Sequence, residues 1–249
     1  MNSERSQAPL AHRVSCHGIL PSMRCTAPGI EEIVDYTKDR PAPQKILEGI
    51  ARLYKQVEYR NAAGQIDPKD QRYLRGGGHF SRDSEWFKDM VQRPGAHLLV
   101  SLSRVGEETS IAAYSLFFTD QNHFPDFVSV GELPRLLQGD PRLGYTYLFL
   151  VGNEASPIVR RGAAGRLFAR QQAICSQEGC HLLLHEVFIS PIPNQASLQC
   201  HRVLERQGRA VFTELTSTHA PPGATTDVTY TVILVCIEGH VLSSNAGRK

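Results

Sequence analysis

Several classes of protein are excluded by what this chain of 249 residues lacks. No apolar run approaches the roughly 18–20 residues that a bilayer-spanning helix needs, so no membrane partner is expected. There are only six cysteines, at positions 16, 25, 175, 180, 200 and 236. They are too few and too irregular for a disulfide framework, and suit reduced thiols in a cytoplasmic protein. Net charge is nearly absent: 27 Lys plus Arg face 25 Asp plus Glu, leaving +2. That balance gives no case for a nucleic-acid partner or an acidic membrane surface. The first thirty residues have no secretory apolar core and read as a plain tail. No Gly-x-Ser-x-Gly elbow, P-loop or His-Glu-x-x-His motif occurs. Lysine is scarce as well, with 6 against 21 arginines, and Arg is the better bidentate partner for phosphate.

What is present begins after the tail. Residues 1–40 show no periodicity and are punctuated by Pro9, Pro21 and Pro28, with Pro41 and Pro43 just after; they read as a flexible extension that partly packs on the adjoining domain. Ile46, Ile50, Leu53 and Val57 recur at helical spacing, predicting an amphipathic helix over 44–60. A short helix near 68–75 ends at Gly76-Gly77-Gly78, and another covers 84–91. The period then shifts toward two, predicting strands at 97–105 and 110–119. Residues 120–143 read as an irregular insertion, and 145–151 as a buried strand. Further along come helix 161–177, strand 181–189, helix 195–207 with Asn194 as N-cap, and strands 209–215 and 227–235. The order implies one α+β domain over 41–240, with a mixed, mostly antiparallel central sheet, flanking helices and a tail at 241–249.

The chemistry concentrates where strand 145–151 turns into the next helix. Arg160-Arg161-Gly162-Ala163-Ala164-Gly165 opens that helix, with Arg166 and Arg170 after it. These four arginines within eleven residues have no acidic residue among them. A helix start offers unpaired N–H groups and a partial positive charge, and small residues let a phosphate approach the backbone. A solvated basic helix start accounts for the spacing equally well.

The order of elements and motifs resembles the GNAT superfamily of CoA-dependent N-acetyltransferases. Arg160, Ala163 and Gly165 match its Arg/Gln-x-x-Gly-x-Gly/Ala turn, with Ala163 in place of the first glycine. Asn194, Ser197 and His201 match its later Asn-x-x-Ser/Ala-x-x-x-Tyr/His element. The resemblance spans roughly 97–235 and implies an acyl-CoA N-acyltransferase fold. It also implies acetyl-CoA as co-substrate and a primary amine as acceptor, with no metal. The pyrophosphate would lie on Arg160, Arg161, Gly162, Ala163, Ala164, Gly165 and Arg166. Pantetheine would pair with the strand edge at Leu150 and Val151, near Asn194 and Ser197.

Direct amine attack on the thioester requires two proton roles. Glu186, mid-strand beside the cleft, is the first candidate for the base, and Glu154 in the loop after the strand is the second. His201 stands where the family often has the Tyr that protonates the thiolate; packing or capping within its own helix explains it as well. His185 is expected on the face opposite Glu186. The series Cys175, Cys180, His181 and His185 lacks zinc-site spacing. Tyr145, Tyr147 and Phe149 read as core residues. A catalytically silent CoA-binding regulatory protein is the alternative, and a domain binding another phosphate ligand is a third. Either a monomer or a homodimer is compatible with the sequence.

Overall fold

The computed structural model describes residues 31–56, 82–105, 108–124, 141–151, 157–190, 193–219 and 228–237. The expected helix at 68–75, the three glycines, most of the 120–143 insertion and both terminal tails lie outside these residues.

Helix α1 (Gln44–Lys55) turns Leu47, Ile50, Ala51, Leu53 and Tyr54 inward. Pro43 sits at its N-cap, where a missing N–H costs nothing. Helix α2 (Ser84–Val91) is capped by Asp83, whose carboxylate accepts from the Trp86 amide at 2.8 Å; Phe87, Met90 and Val91 are buried. Among the described residues, seven strands form one sheet in the order β1-β2-β3-β4-β5-β7-β6. They are β1 (Glu31–Tyr36), β2 (Ala96–Val105), β3 (Glu108–Phe118), β4 (Leu143–Val151), β5 (Leu182–Ser190), β6 (Ala210–His219) and β7 (Val228–Cys236). All neighbours pair antiparallel except β4 and β5, which are parallel and joined by helix α3 (Pro157–Gln177). Helix α4 (Gln195–Arg206) lies between β5 and β6 in the chain.

The sheet is covered on both faces. Leu98, Tyr114, Tyr145, Leu184 and Leu234 pack with Leu47, Ile50, Tyr54 and Phe87 from α1 and α2. Leu99, Phe117, Leu183, Ile233 and Val235 pack with Ala163, Leu167, Ile174 and Cys175 from α3. Neighbouring residues such as Leu98 and Leu99 go to opposite layers, as period-two backbone requires. Both α3 and α4 stop on left-handed glycines. Gly179 (φ +76°) and Gly208 (φ +69°) each place the next amide on a carbonyl five residues back: Cys180 N–H on Cys175 at 2.8 Å, Arg209 N–H on Leu204 at 2.9 Å.

The structure departs from expectation in several places: helix α1 ends at Lys55 and not at 60, and strand β6 runs on to His219 and not to 215. Residues 31–36, read as part of the extension, are the edge strand β1, whose Val34 and Tyr36 enter the core. Helix α3 begins at Pro157 rather than at 161, because a proline suits the first helical position. The buried strand is buried only in part: Leu143–Thr146 are buried, whereas Phe149 is 37% exposed.

Candidate active site

The change along β4 has a local cause. β4 pairs with β5 only from Leu143↔Leu182 to Thr146↔His185. Beyond Thr146, β4 follows β3 and β5 follows β7, so the two parallel strands separate. The β3 register shifts at the same place: Phe117 faces Thr146 and Leu116 faces Leu148, leaving Tyr147 as an extra residue. A bulge of this kind bends and twists its strand. The limb 148–151 therefore has backbone groups on the β5 side without strand partners, and Leu150 and Val151 are half-buried there.

Two side-chain clusters flank this fork. On the α1/α2 face, Glu186 accepts from the Tyr145 hydroxyl at 2.8 Å and from the Ser217 hydroxyl at 2.8 Å, one bond per carboxylate oxygen. Burial first, and the Glu186 charge second, push the Tyr145 phenol well above its usual range, so it remains a donor. Tyr147 accepts from Arg82 at 2.8 Å, and that guanidinium stacks on Trp86 at 4.2 Å. Phe124, at the entry to the insertion, packs on Tyr145 with ring centroids 5.4 Å apart.

The opposite face carries neutral hydrogen bonds. His201 Nδ1 lies 2.8 Å from the Ser197 carbonyl, which can only accept, so that nitrogen carries the proton. Nε2 of a neutral His201 then accepts, and His185 Nδ1–H donates to it at 2.9 Å. His185 Nε2 in turn accepts from the Thr146 hydroxyl at 3.1 Å. Thr146 accepts from the Gln171 amide, and Gln171 accepts from Ser115 at 3.2 Å. Every donor points the same way along this chain of five residues and one backbone carbonyl. Desolvation dominates in holding the His185 pKa well below 6.5, with the His201 charge adding to it. His201 is lowered by burial too, against an opposing bond to the Ser197 carbonyl.

The sequence candidates are distributed unevenly over this geometry. Glu186 and His185 do face opposite sides, so Glu186 and His201 are not brought together. His201 is 7% exposed and both its nitrogens are engaged within the protein. The proton expected for the thiolate is therefore already given to the Ser197 carbonyl. Asn194 caps α4 through a 3.1 Å bond from the Ser197 amide. Because α3 starts at Pro157, the amides of 161–166 fall within or beyond its first full turn. The helix's unpaired amides are those of 158 and 159, Pro157 having none. Arg160 and Arg161 lie in α3 with side chains outside the described residues, and Glu154 lies outside them as well. Ala163 is fully buried in the α3-side core, so its methyl fills a packing position. Ala164 is half-buried and Gly165 is exposed. Arg166 lies over Gly162, with its Nη2 3.3 Å from where a β-carbon there would stand.

Tyr145 is core, as expected, but its hydroxyl serves Glu186; Phe149 is not core. Ser217, Thr146 and Gln171 carry no local sequence signal, because register across distant strands brings them in. No cluster able to hold a metal ion occurs among the described residues, and none of their helices is long and apolar enough to cross a membrane.

No protein-family model matches the sequence, and no curated protein does either. Solved structures do match. NAA60 of Arabidopsis thaliana in complex with a bisubstrate analogue is 13% identical, with a TM-score of 0.53, covering 84% of this chain and 99% of that one. The same Arabidopsis protein in complex with acetyl-CoA gives 14% identity, a TM-score of 0.49 and coverages of 84% and 99%. An N-acetyltransferase from Staphylococcus aureus Mu50 gives 13%, 0.48, and 83% and 99%. At these identities the likeness concerns architecture: the chain has the GNAT acyl-CoA N-acyltransferase fold.

Proposed function

We propose that this protein is an N-acetyltransferase that passes an acetyl group from acetyl-CoA to a primary amine by direct attack. One observation carries the reading: β4 and β5 part at a bulge, with a carboxylate held by two hydroxyls at the point of parting. The free strand edge at Leu148, Leu150 and Val151 suits the amides of pantetheine. The start of α3, with Arg160 and Arg161 and the exposed surface of Gly162, Ala164, Gly165 and Arg166, suits a pyrophosphate. The first turn of α4, at Asn194 and Ser197, forms the far wall.

The amine approaches from the α1/α2 face, where Glu186 takes the ammonium proton. The neutral nitrogen then attacks the thioester carbon, forming the C–N bond and breaking C–S. A backbone N–H at the bulge polarises the carbonyl; as C–S breaks, the nitrogen gives up its second proton, which passes through water to the departing thiolate and leaves a neutral amide and a free thiol. Glu154 remains a second carboxylate candidate. The fold neighbour's bisubstrate analogue supports two ligands meeting in one cleft. Three buried cysteines without disulfides support a cytoplasmic setting, and no nucleic-acid or membrane partner is proposed.

Calorimetry with CoA and acetyl-CoA, followed by thiol release across an amine panel, tests this assignment. Micromolar CoA binding and amine-dependent release are expected; an absence of CoA binding would sink it. The alternative of a silent CoA-binding regulator is favoured by one observation, the engagement of both His201 nitrogens. It predicts CoA binding without thiol release for any amine.

A further inference from the structure

Helix α4 has one buried side chain, His201. Leu198 and Leu204 are only half-buried against the α3-side core, and Val203 is 46% exposed. The polar contact made by that single inward residue is with His185, on the last β5 position still paired to β4. We propose that His185 is a positioning residue: its Nδ1–H docks α4 onto the sheet at the fork, and the dock holds only while His201 is neutral and its Nε2 can accept. The proposal rests on the acyl-CoA reading only where it concerns α4 as the cofactor's far wall.

Donor count decides which protonation states the dock tolerates. A neutral pair, each with Nδ1–H, gives one donor and one acceptor at the 2.9 Å contact. Protonating His201 places N–H against N–H at the dock; protonating His185 leaves its Nδ1–H on His201 and disturbs only the Thr146 contact, where a second N–H meets the hydroxyl. The surroundings supply no charge to compensate. Among the described residues, the groups facing the pair are Phe168 and Gln171 from α3, Thr146 from β4, Ile233 from β7 and Ser197 from α4. Among the described residues, the ionisable neighbour whose charge acts on His185 is His201 itself. Arg202 and Glu205, also on α4, pair with each other at 2.8 Å on its exposed side. Beyond this bond α4 is held to the sheet by half-buried Leu198 and Leu204 and by the Arg202 guanidinium over the Phe212 ring at 3.9 Å, so losing it loosens the helix without dismantling the sheet.

Amide hydrogen exchange on the full chain without ligand, corrected for intrinsic rates, tests the dock directly. Protection of 195–206 is compared at pH 7.5 and 5.5 with that of β5 and β7 as internal references. In the wild type, α4 protection is expected to drop about tenfold at the lower pH while β7 changes little, the scale of one lost hydrogen bond. His185→Leu should show the low value at both pH values. His185→Gln, which retains an acceptor for Thr146 and a donor for His201, should restore protection at pH 7.5. Nitrogen-15 shifts of the two rings should report neutral Nδ1–H tautomers at pH 7.5. Equal α4 protection at both pH values in the wild type would overturn the proposal. So would a neutral Nε2–H tautomer. If His185→Leu does not fold, the wild-type and His185→Gln arms still decide. The consequence for the cofactor is read separately: CoA affinity of His185→Leu should be about fivefold weaker. Complete absence of CoA binding in the wild type defeats the functional reading and leaves the exchange result standing.

Discussion

Glu186 and His185 are neighbours in one strand and share almost no chemistry. The first sits among hydroxyls, an arginine and aromatic rings, partly open to solvent; the second is sealed under two helices with every polar atom matched. The difference teaches how a single strand can separate reaction from scaffolding. A carboxylate that must exchange protons needs spare lone pairs and access. An imidazole that must hold a helix needs neither, and is stable there because its charged form is excluded.

The sharpest way to test that division is on the open side. Glu186→Gln should lower the rate of amine-dependent thiol release by about 10²–10⁴-fold with CoA affinity unchanged, as for loss of a general base. An effect confined to CoA binding would move Glu186 into the scaffold. Next in size, Arg160→Ala with Arg161→Ala should weaken CoA binding by about tenfold, read by calorimetry, since charge-assisted bonds contribute about 1.5–3 kcal/mol each when fully formed. Tyr145→Phe and Ser217→Ala each remove one bond to Glu186 and should each slow turnover by roughly fivefold, leaving the thermal midpoint nearly unmoved. On the sealed side the readout is stability against pH. Both histidines titrate below 6.5 in the folded chain, so the unfolded chain binds protons first as pH falls. Stability is complete above about 6.5 and declines from there toward the folded-state values; urea midpoints at pH 7.5 and 5.5 measure it. Smallest of all, Gly165→Ala meets nothing within 4 Å. It should raise the unliganded stability by up to about 1 kcal/mol in urea melts.

Much of this architecture was legible because it is local. Helical spacing located α1, Asn194 announced α4 through its cap, and alternation put His185 and Glu186 on opposite faces. Pro157 was an available signal for the start of α3 that the run of small residues at 162–165 obscured. Strand β1 was hidden because six residues at a sheet edge carry too little alternation to register. The partners of the site residues were not legible at all. Thr146 meets His185, and Ser217 meets Glu186, only because strands far apart in sequence fix their register through the packing of two whole layers. His201 shows the same limit from the other side: its place in a motif was visible, but not the histidine already occupying its second nitrogen.

The extra residue in β4 also changes the strand's phase. Up to Tyr147 the odd-numbered side chains Leu143, Tyr145 and Tyr147 look toward α1 and α2; after it the even-numbered Leu148 and Leu150 do, and Val151 turns to the α3 layer. One strand thus presents two opposite alternations on either side of a single position. Removing that residue would restore one unbroken parity. Leu148 and Leu150 would keep their face toward α1 and α2, now in step with Leu143 and Tyr145, and the strand would regain the geometry to continue its ladder with β5. The cleft, in that sense, exists because the chain counts one residue more on β4 than β3 requires.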